Sequence, residues 1–139
     1  MREFTLHVYE ADEVFYEGPC ISLVVPTTEG QYGIQAMHEN MVAAVCIGYI
    51  KYTLPDKSVH YAAVSDGLVR VEDNDVLILV EAAEHPDEID EARARKQEEA
   101  ARELLQAKQN QINYRTASAM VTRAINRLRV KNRYGREAK

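Results

Sequence analysis

The residues best equipped for chemistry in this chain are a run of cations near its C-terminus, four histidines and two cysteines. From Lys108 onward stand Lys108, Arg115, Arg123, Arg127, Arg129, Lys131, Arg133, Arg136 and Lys139 against the single acid Glu137. Residues 1–86 reverse the balance, with Arg2, Lys51, Lys57 and Arg70 against fourteen acids. The net charge of -5 therefore hides an acidic front and a basic arm. Guanidinium and ammonium groups in such a run recognise carboxylates or phosphates, so an acidic partner is expected. Catalytic spacings are missing: no Gly-rich phosphate loop ends in Lys-Ser/Thr, no Ser sits in a nucleophile elbow, and no two histidines have metal spacing. His7, His38, His60 and His85 are scattered and read as surface or core side chains. Cys20 and Cys46 are isolated and read as buried reduced thiols. Autonomous catalysis is not expected.

The elements that carry these groups follow from hydrophobic periodicity. Phe4, Leu6 and Val8 alternate with Thr5, His7 and Tyr9, as in a half-buried strand. A turn at Ala11-Asp12-Glu13 leads to Val14-Phe15-Tyr16, and Gly18-Pro19 is expected to break that strand. Cys20 to Val25 reads as a strand ending at Pro26, and Thr27 to Gly33 as an irregular stretch. Val42 to Tyr52 is long and β-branched enough for two strands. Pro55-Asp56-Lys57 closes a hairpin onto Val59 to Val64. Turns at Ser65-Asp66-Gly67 and Glu72-Asp73-Asn74-Asp75 bracket strands Leu68 to Val71 and Val76 to Val80. Short strands at about ten-residue spacing predict an antiparallel β-sandwich over residues 1–86.

At His85-Pro86 the period changes from two to about 3.6. Residues 87–139 are predicted to form an antiparallel two-helix hairpin, which makes the whole chain α+β. Asp87 is the expected cap, with Glu88, Asp90 and Glu91 in the first turn. Glu91 with Arg95 and Glu98 with Arg102 are acid-before-base pairs four apart. Helix one runs to about Lys108, Gln109-Asn110-Gln111 forms the turn, and helix two spans about Ile112 to Asn132 before Gly135. Its stripe is Tyr114, Ala117, Val121, Ala124, Ile125 and Leu128, and the apolar residues of helix one are mostly small, Ala92, Ala94, Ala100, Ala101 and Ala107, with only Leu104 and Leu105 large. Alanine buries little area, so at ~25 cal/mol per Å2 this seam gains only modestly against the entropy of ordering two helices. The hairpin is expected to be marginally docked and able to open. No apolar run approaches the ~18 residues that span a bilayer. The strand-like start carries no signal or transit segment, so an intracellular chain is expected, soluble or held at a membrane by a partner.

Gly30-Gln31-Tyr32-Gly33-Ile34 with His38, then Ala63-Val64-Ser65-Asp66-Gly67-Leu68-Val69-Arg70-Val71, resemble the epsilon subunit of bacterial F-type ATP synthases. Asn74 to Glu84, leading into Ile89-Asp90, resembles it too, and the likeness runs the whole length in the right order. One departure stands at Gln35-Ala36-Met37-His38-Glu39-Asn40-Met41, where the family usually carries Leu-Pro-Gly-His-x-Pro-Leu.

The resemblance implies a non-catalytic rotor subunit with no required cofactor. Its sandwich would bind the gamma subunit and the c-ring, with Glu29, Gln31 and His38 on the c-ring side, and help to couple ion flow to rotation. The hairpin would be a regulatory arm that permits hydrolysis when folded and inhibits it when extended. Extended, it would set Arg115, Arg123 and Arg127 against the catalytic beta subunit of the alpha/beta assembly. The resemblance also implies ATP as a regulatory ligand. Ile89-Asp90-Glu91-Ala92-Arg93-Ala94 matches the I/L-D-x-x-R-A motif of nucleotide-binding members, with Glu84, Arg123 and Arg127 at the supporting positions. Ala100 stands where strong binders carry an arginine, and no carboxylate cluster calls for Mg2+. The implied location is peripheral, on the cytoplasmic side of the cell membrane. A different class of reading is a β-sandwich with a basic helical tail for nucleic acid. Few aromatic residues for stacking, an acidic sandwich and an apolar stripe suited to helix one weigh against it.

Overall fold

The computed structural model describes residues 2–107 and 111–135, with side chains over 2–103 and 118–135. It divides into two compact units, Met1–His85 and Pro86–Lys139. The first contains ten strands: β1 (Phe4–Tyr9), β2 (Val14–Cys20), β3 (Ser22–Thr27), β4 (Gly30–Gln35), β5 (Met41–Val45), β6 (Gly48–Thr53), β7 (Val59–Val64), β8 (Gly67–Glu72), β9 (Asp75–Val80) and β10 (Ala83–Glu84). Along the sheet they run β10-β7-β6-β3-β5-β8-β9-β1-β2, with β4 paired to β3. The sheet wraps on itself as a sandwich. Alternate residues point inward, and Leu6, Val8, Leu23, Val25, Ile34, Ile50, Val69 and Ile78 are fully buried in its core.

Four details differ from the sequence expectation. The ladder is not wholly antiparallel, because β1 runs parallel to β9, pairing Thr5–Tyr9 with Asp75–Leu79. Gly18-Pro19 does not end β2. That strand pairs only with β1, so it is an edge where the missing proline N–H costs no ladder bond. Pro26 likewise lies inside β3, at the point where pairing passes from β6, at Ser22–Val24, to β5, at Thr27. The expected irregular stretch is the β3–β4 hairpin, closed by Thr28-Glu29 and by Gly30 at φ 114°, with Thr27 Oγ1 donating to the Gly30 carbonyl at 2.7 Å.

The remaining turns behave as their residues suggest. Asp73 and Asn74 both take positive φ, 48° and 63°, the two-residue geometry that suits strand twist between β8 and β9. At Gly67 a Cβ would run into the Leu79 carbonyl oxygen, so glycine is required where β8 crosses close to β9.

The second unit holds a 3-10 turn at Pro86–Glu88, then helices α1 (Glu91–Ala107) and α2 (Gln111–Tyr134), which pack together. Helix one therefore starts four residues later than Asp87. Pro86 favours the tight turn that takes up Asp87 and Glu88, and Asp90 becomes the cap, its Oδ1 accepting from the Arg93 N–H at 3.1 Å. Ala94, Ala101, Val121, Ala124 and Leu128 are buried, but Ala92 and Ala100 are exposed because they fall on the outer side of α1, so of the expected helix-one alanines with described side chains only Ala94 and Ala101 join the seam. The pairs Glu91–Arg95 at 2.8 Å and Glu98–Arg102 at 2.9 Å form as expected. After Tyr134 the Gly135 N–H donates to the Lys131 carbonyl at 2.9 Å, and a Cβ there would meet the same oxygen at 2.6 Å. The predicted turn at Gln109-Asn110 lies outside the described residues, and Gln111 opens α2. No described helix is long and apolar enough to cross a membrane.

Candidate functional site

The start of α1 sorts the segment Ile89 to Ala94 into two halves. Ile89 and Ala94 are buried and anchor the helix, while Asp90 and Arg93 are exposed. The Asp90 carboxylate is already spent in part on the Arg93 backbone. Its second oxygen and the Arg93 guanidinium face solvent, one an acceptor and the other a donor.

On α2, Arg123 and Arg127 stand one turn apart, both half-buried and with their Nε atoms fully buried. Arg127 Nη1 donates to Gln97 Oε1 on α1 at 2.7 Å. Gln97 lies one turn beyond Arg93, so Arg127 reaches the α1 face on which the exposed motif residue sits. Glu84 belongs to the other unit, half-buried in β10 opposite Ala63. The side chain of Arg115 lies outside the described residues.

A feature not expected from sequence is an open groove of ≈ 590 Å3 between the helices, with Arg102, Arg129 and Arg133 around an Ile125–Leu128 floor. None of the motif residues lines it. Among the described residues no cluster of His, Cys, Asp and Glu could hold a metal ion.

In the sandwich, Glu29 caps the β3–β4 hairpin and is exposed, and Gln31 follows it on β4, its amide donating to the Tyr49 hydroxyl at 3.3 Å. His38 lies past the far end of β4, its ring edge-on to Tyr32 at 5.7 Å. Tyr32 thus links the two ends, and with Met37 it gives this edge an exposed apolar character. The proline-free loop is tied down instead by two asparagines. The Met37 N–H donates to Asn74 Oδ1 at 2.7 Å and the Asp73 N–H to Asn40 Oδ1 at 3.0 Å.

Sequence reading also missed a row that only strand register reveals. Ala44 pairs with Leu68, Leu68 with Leu79, Leu79 with Tyr9, and Tyr9 with Val14, crossing β5, β8, β9, β1 and β2 on the outer face. Val14 is 57% exposed, Leu79 41% and Leu68 37%, with Val42 beside them at 70%. Isolated exposed apolar residues are ordinary, but these lie side by side in one row across five strands.

Fold and surfaces together define a β-sandwich joined to a charged two-helix arm. The family model described as the beta-sandwich domain of the ATP synthase delta/epsilon chain matches residues 3–86, and that for its long alpha-helix domain matches residues 87–132. An ATP synthase epsilon chain from Ruminococcus albus is 37% identical over 134 residues, covering 96% of this chain and 99% of the relative. One from Halalkalibacterium halodurans is 41% identical over 132 residues, with 93% and 98% covered. A chain in the Euglena gracilis mitochondrial ATP synthase shares the fold at TM-score 0.78 and 22% identity, over 89% of this chain and 78% of its own length. The chain belongs to the ATP synthase delta/epsilon family, whose epsilon chains are non-catalytic subunits of that complex.

Proposed function

We propose that this chain is the central-stalk adaptor and hydrolysis regulator of a bacterial ATP synthase. The observation that carries the adaptor role is the exposed row from Ala44 to Val14. Covering a few hundred Å2 of such surface at ~25 cal/mol per Å2 gives a contact worth several kcal/mol, as a stalk joint needs. The gamma subunit is its partner. The other end of the sandwich, with Glu29, Gln31, Tyr32 and His38, meets the c-ring, so the subunit sits peripherally on the cytoplasmic side of the cell membrane and helps couple ion translocation to rotation.

The arm is the regulatory part. Its seam, with small side chains at Ala94, Ala101 and Ala124 and the Arg127–Gln97 bond across it, supports a docking energy small enough for ligands and partners to shift. Released, Arg115, Arg123 and Arg127 engage acidic side chains of the catalytic beta subunit and stop hydrolysis. ATP binds the folded arm through Asp90, Arg93, Arg123 and Arg127, with Ile89 and Ala94 seating the motif. A ligand at a hundred times its Kd would favour that state by ~2.7 kcal/mol.

Reconstitution separates these claims. A complex carrying the chain truncated after Glu88 should assemble and synthesise ATP as before while hydrolysing it faster. If the extended arm holds about half of the complexes, the increase is about twofold. Unchanged hydrolysis removes the inhibitory role. Calorimetry of the full chain with millimolar ATP reads the nucleotide site, and an absence of heat removes it.

A further inference from the structure

The outer face of β1 carries a polar cluster that neither the nucleotide motif nor the c-ring edge uses. His7 Nδ1 lies 2.8 Å from Glu17 Oε1 on β2, and its Nε2 lies 2.9 Å from Asp75 Oδ1 on β9. Tyr9, two residues along β1, donates its hydroxyl to the same Glu17 oxygen at 2.9 Å and sits 3.1 Å from His7 Nδ1. Glu17, Asp75 and Tyr9 are the titratable groups that face His7 from the two flanking strands and from β1 itself.

A neutral imidazole offers one N–H and one lone pair, and a carboxylate only accepts. Both contacts are satisfied together only when the ring carries both protons. The surroundings favour that state. Burial pushes the His7 pKa down, but the hydrogen bonds to Asp75 and Glu17 and the attraction of both carboxylates outweigh it, so the net shift is upward from 6.5. Glu17 is held below the ordinary carboxylate range by the bonds from Tyr9 and His7.

We propose that His7 is a proton-dependent clip that fastens β2 and β9 to β1 and so sets how tightly the outer face of the sandwich holds its partner. With the ring doubly protonated, Nδ1–H donates to Glu17 and Nε2–H to Asp75. When the Nδ1 proton leaves for solvent, Nε2–H stays on Asp75 and Nδ1 becomes an acceptor. The Tyr9 hydroxyl, already within reach, turns to it and releases Glu17. Tyr9 belongs to the apolar row, and Glu17 lies on the strand that ends that row at Val14, so the edge of the docking face loosens. Because the folded-state pKa is the higher one, the clip is fully engaged below about 6.5 and fades as pH climbs through the raised value. The effect on docking rests on the proposed gamma contact; the clip itself does not.

Two measurements on the full chain test this. An NMR titration of the His7 ring nitrogens should show both protonated above pH 6.5. The midpoint should drop in Asp75→Asn and again in Glu17→Gln. A wild-type midpoint at or below 6.5, or one that neither substitution moves, overturns the clip. Affinity for the purified gamma subunit, compared at about pH 6 and about pH 9, should fall several-fold for the wild type and stay flat for His7→Gln. Equal wild-type affinity at both values overturns the coupling of clip to docking. No binding to gamma at either value overturns the docking reading, and with it the coupling, while the titration still decides the clip.

Discussion

Arg127 of α2 donates to Gln97 of α1 at 2.7 Å, a charge-assisted bond across a seam that also buries Ala94, Ala101, Val121, Ala124 and Leu128. Such a bond contributes about 1–2 kcal/mol when one partner is charged. Gln97→Ala should therefore loosen the arm without touching the sandwich. Amide exchange in residues 118–134 should quicken by about tenfold while exchange in β3, β6 and β8 is unchanged. Uniform exchange in both proteins would show that the bond does not hold the helices together.

Asp90 has two separable roles. Asparagine caps helices as well as aspartate does, so Asp90→Asn should keep thermal stability within a few tenths of a kcal/mol, whereas Asp90→Ala should lose about 1 kcal/mol. If the carboxylate also contacts nucleotide, both variants should weaken ATP binding in calorimetry. Wild-type affinity in the asparagine variant would assign the residue to capping alone.

Asn74 holds three segments at once. It takes positive φ in the β8–β9 turn, accepts from the Met37 N–H, and donates through Nδ2 to the Glu3 carbonyl at 3.0 Å. Asn74→Gly keeps the turn but cuts both tethers, and should cost about 1–2 kcal/mol in denaturant midpoint. Asn74→Ala adds left-handed strain and should cost about 1 kcal/mol more. Equal midpoints for the two variants would show the turn geometry to be unimportant.

Gly67→Ala drives a Cβ into the Leu79 backbone, and neither strand can retreat without breaking the β8–β9 ladder. A loss of about 3 kcal/mol or more is expected, read as an early urea transition of the first unit. A transition within about 1 kcal/mol of wild type, roughly a fivefold change in the folding constant, would mean the crossing is looser than it stands.

Most strands were legible because their inward residues alternate, and most turns because Asn, Asp, Gly and Pro mark them. Prolines misled where context removed their penalty. Pro19 sits on an edge strand and Pro26 at a change of partner, and neither condition is visible before the sheet order is known. The cap moved from Asp87 to Asp90 because both are good caps and the 3-10 turn after His85 decides between them. Of the site, the motif residues and the arginine spacing could be read directly. The apolar row could not, since each strand contributes only one or two of its members. The His7 cluster was hidden for the same reason: His7 and Asp75 come together only through β1–β9 pairing.

That pairing also governs how the molecule comes to exist. Thr5 finds Asp75 across about seventy residues of intervening chain, among the least local contacts a domain of this size can contain. A growing polypeptide can zip β1 to β2 at once, yet the N–H and C=O groups on the other flank of β1 lack their strand partner until β9 has left the ribosome. Completion of the sandwich is therefore the late, slow event of synthesis. The interval before it is when the nascent subunit most needs protection from its neighbours.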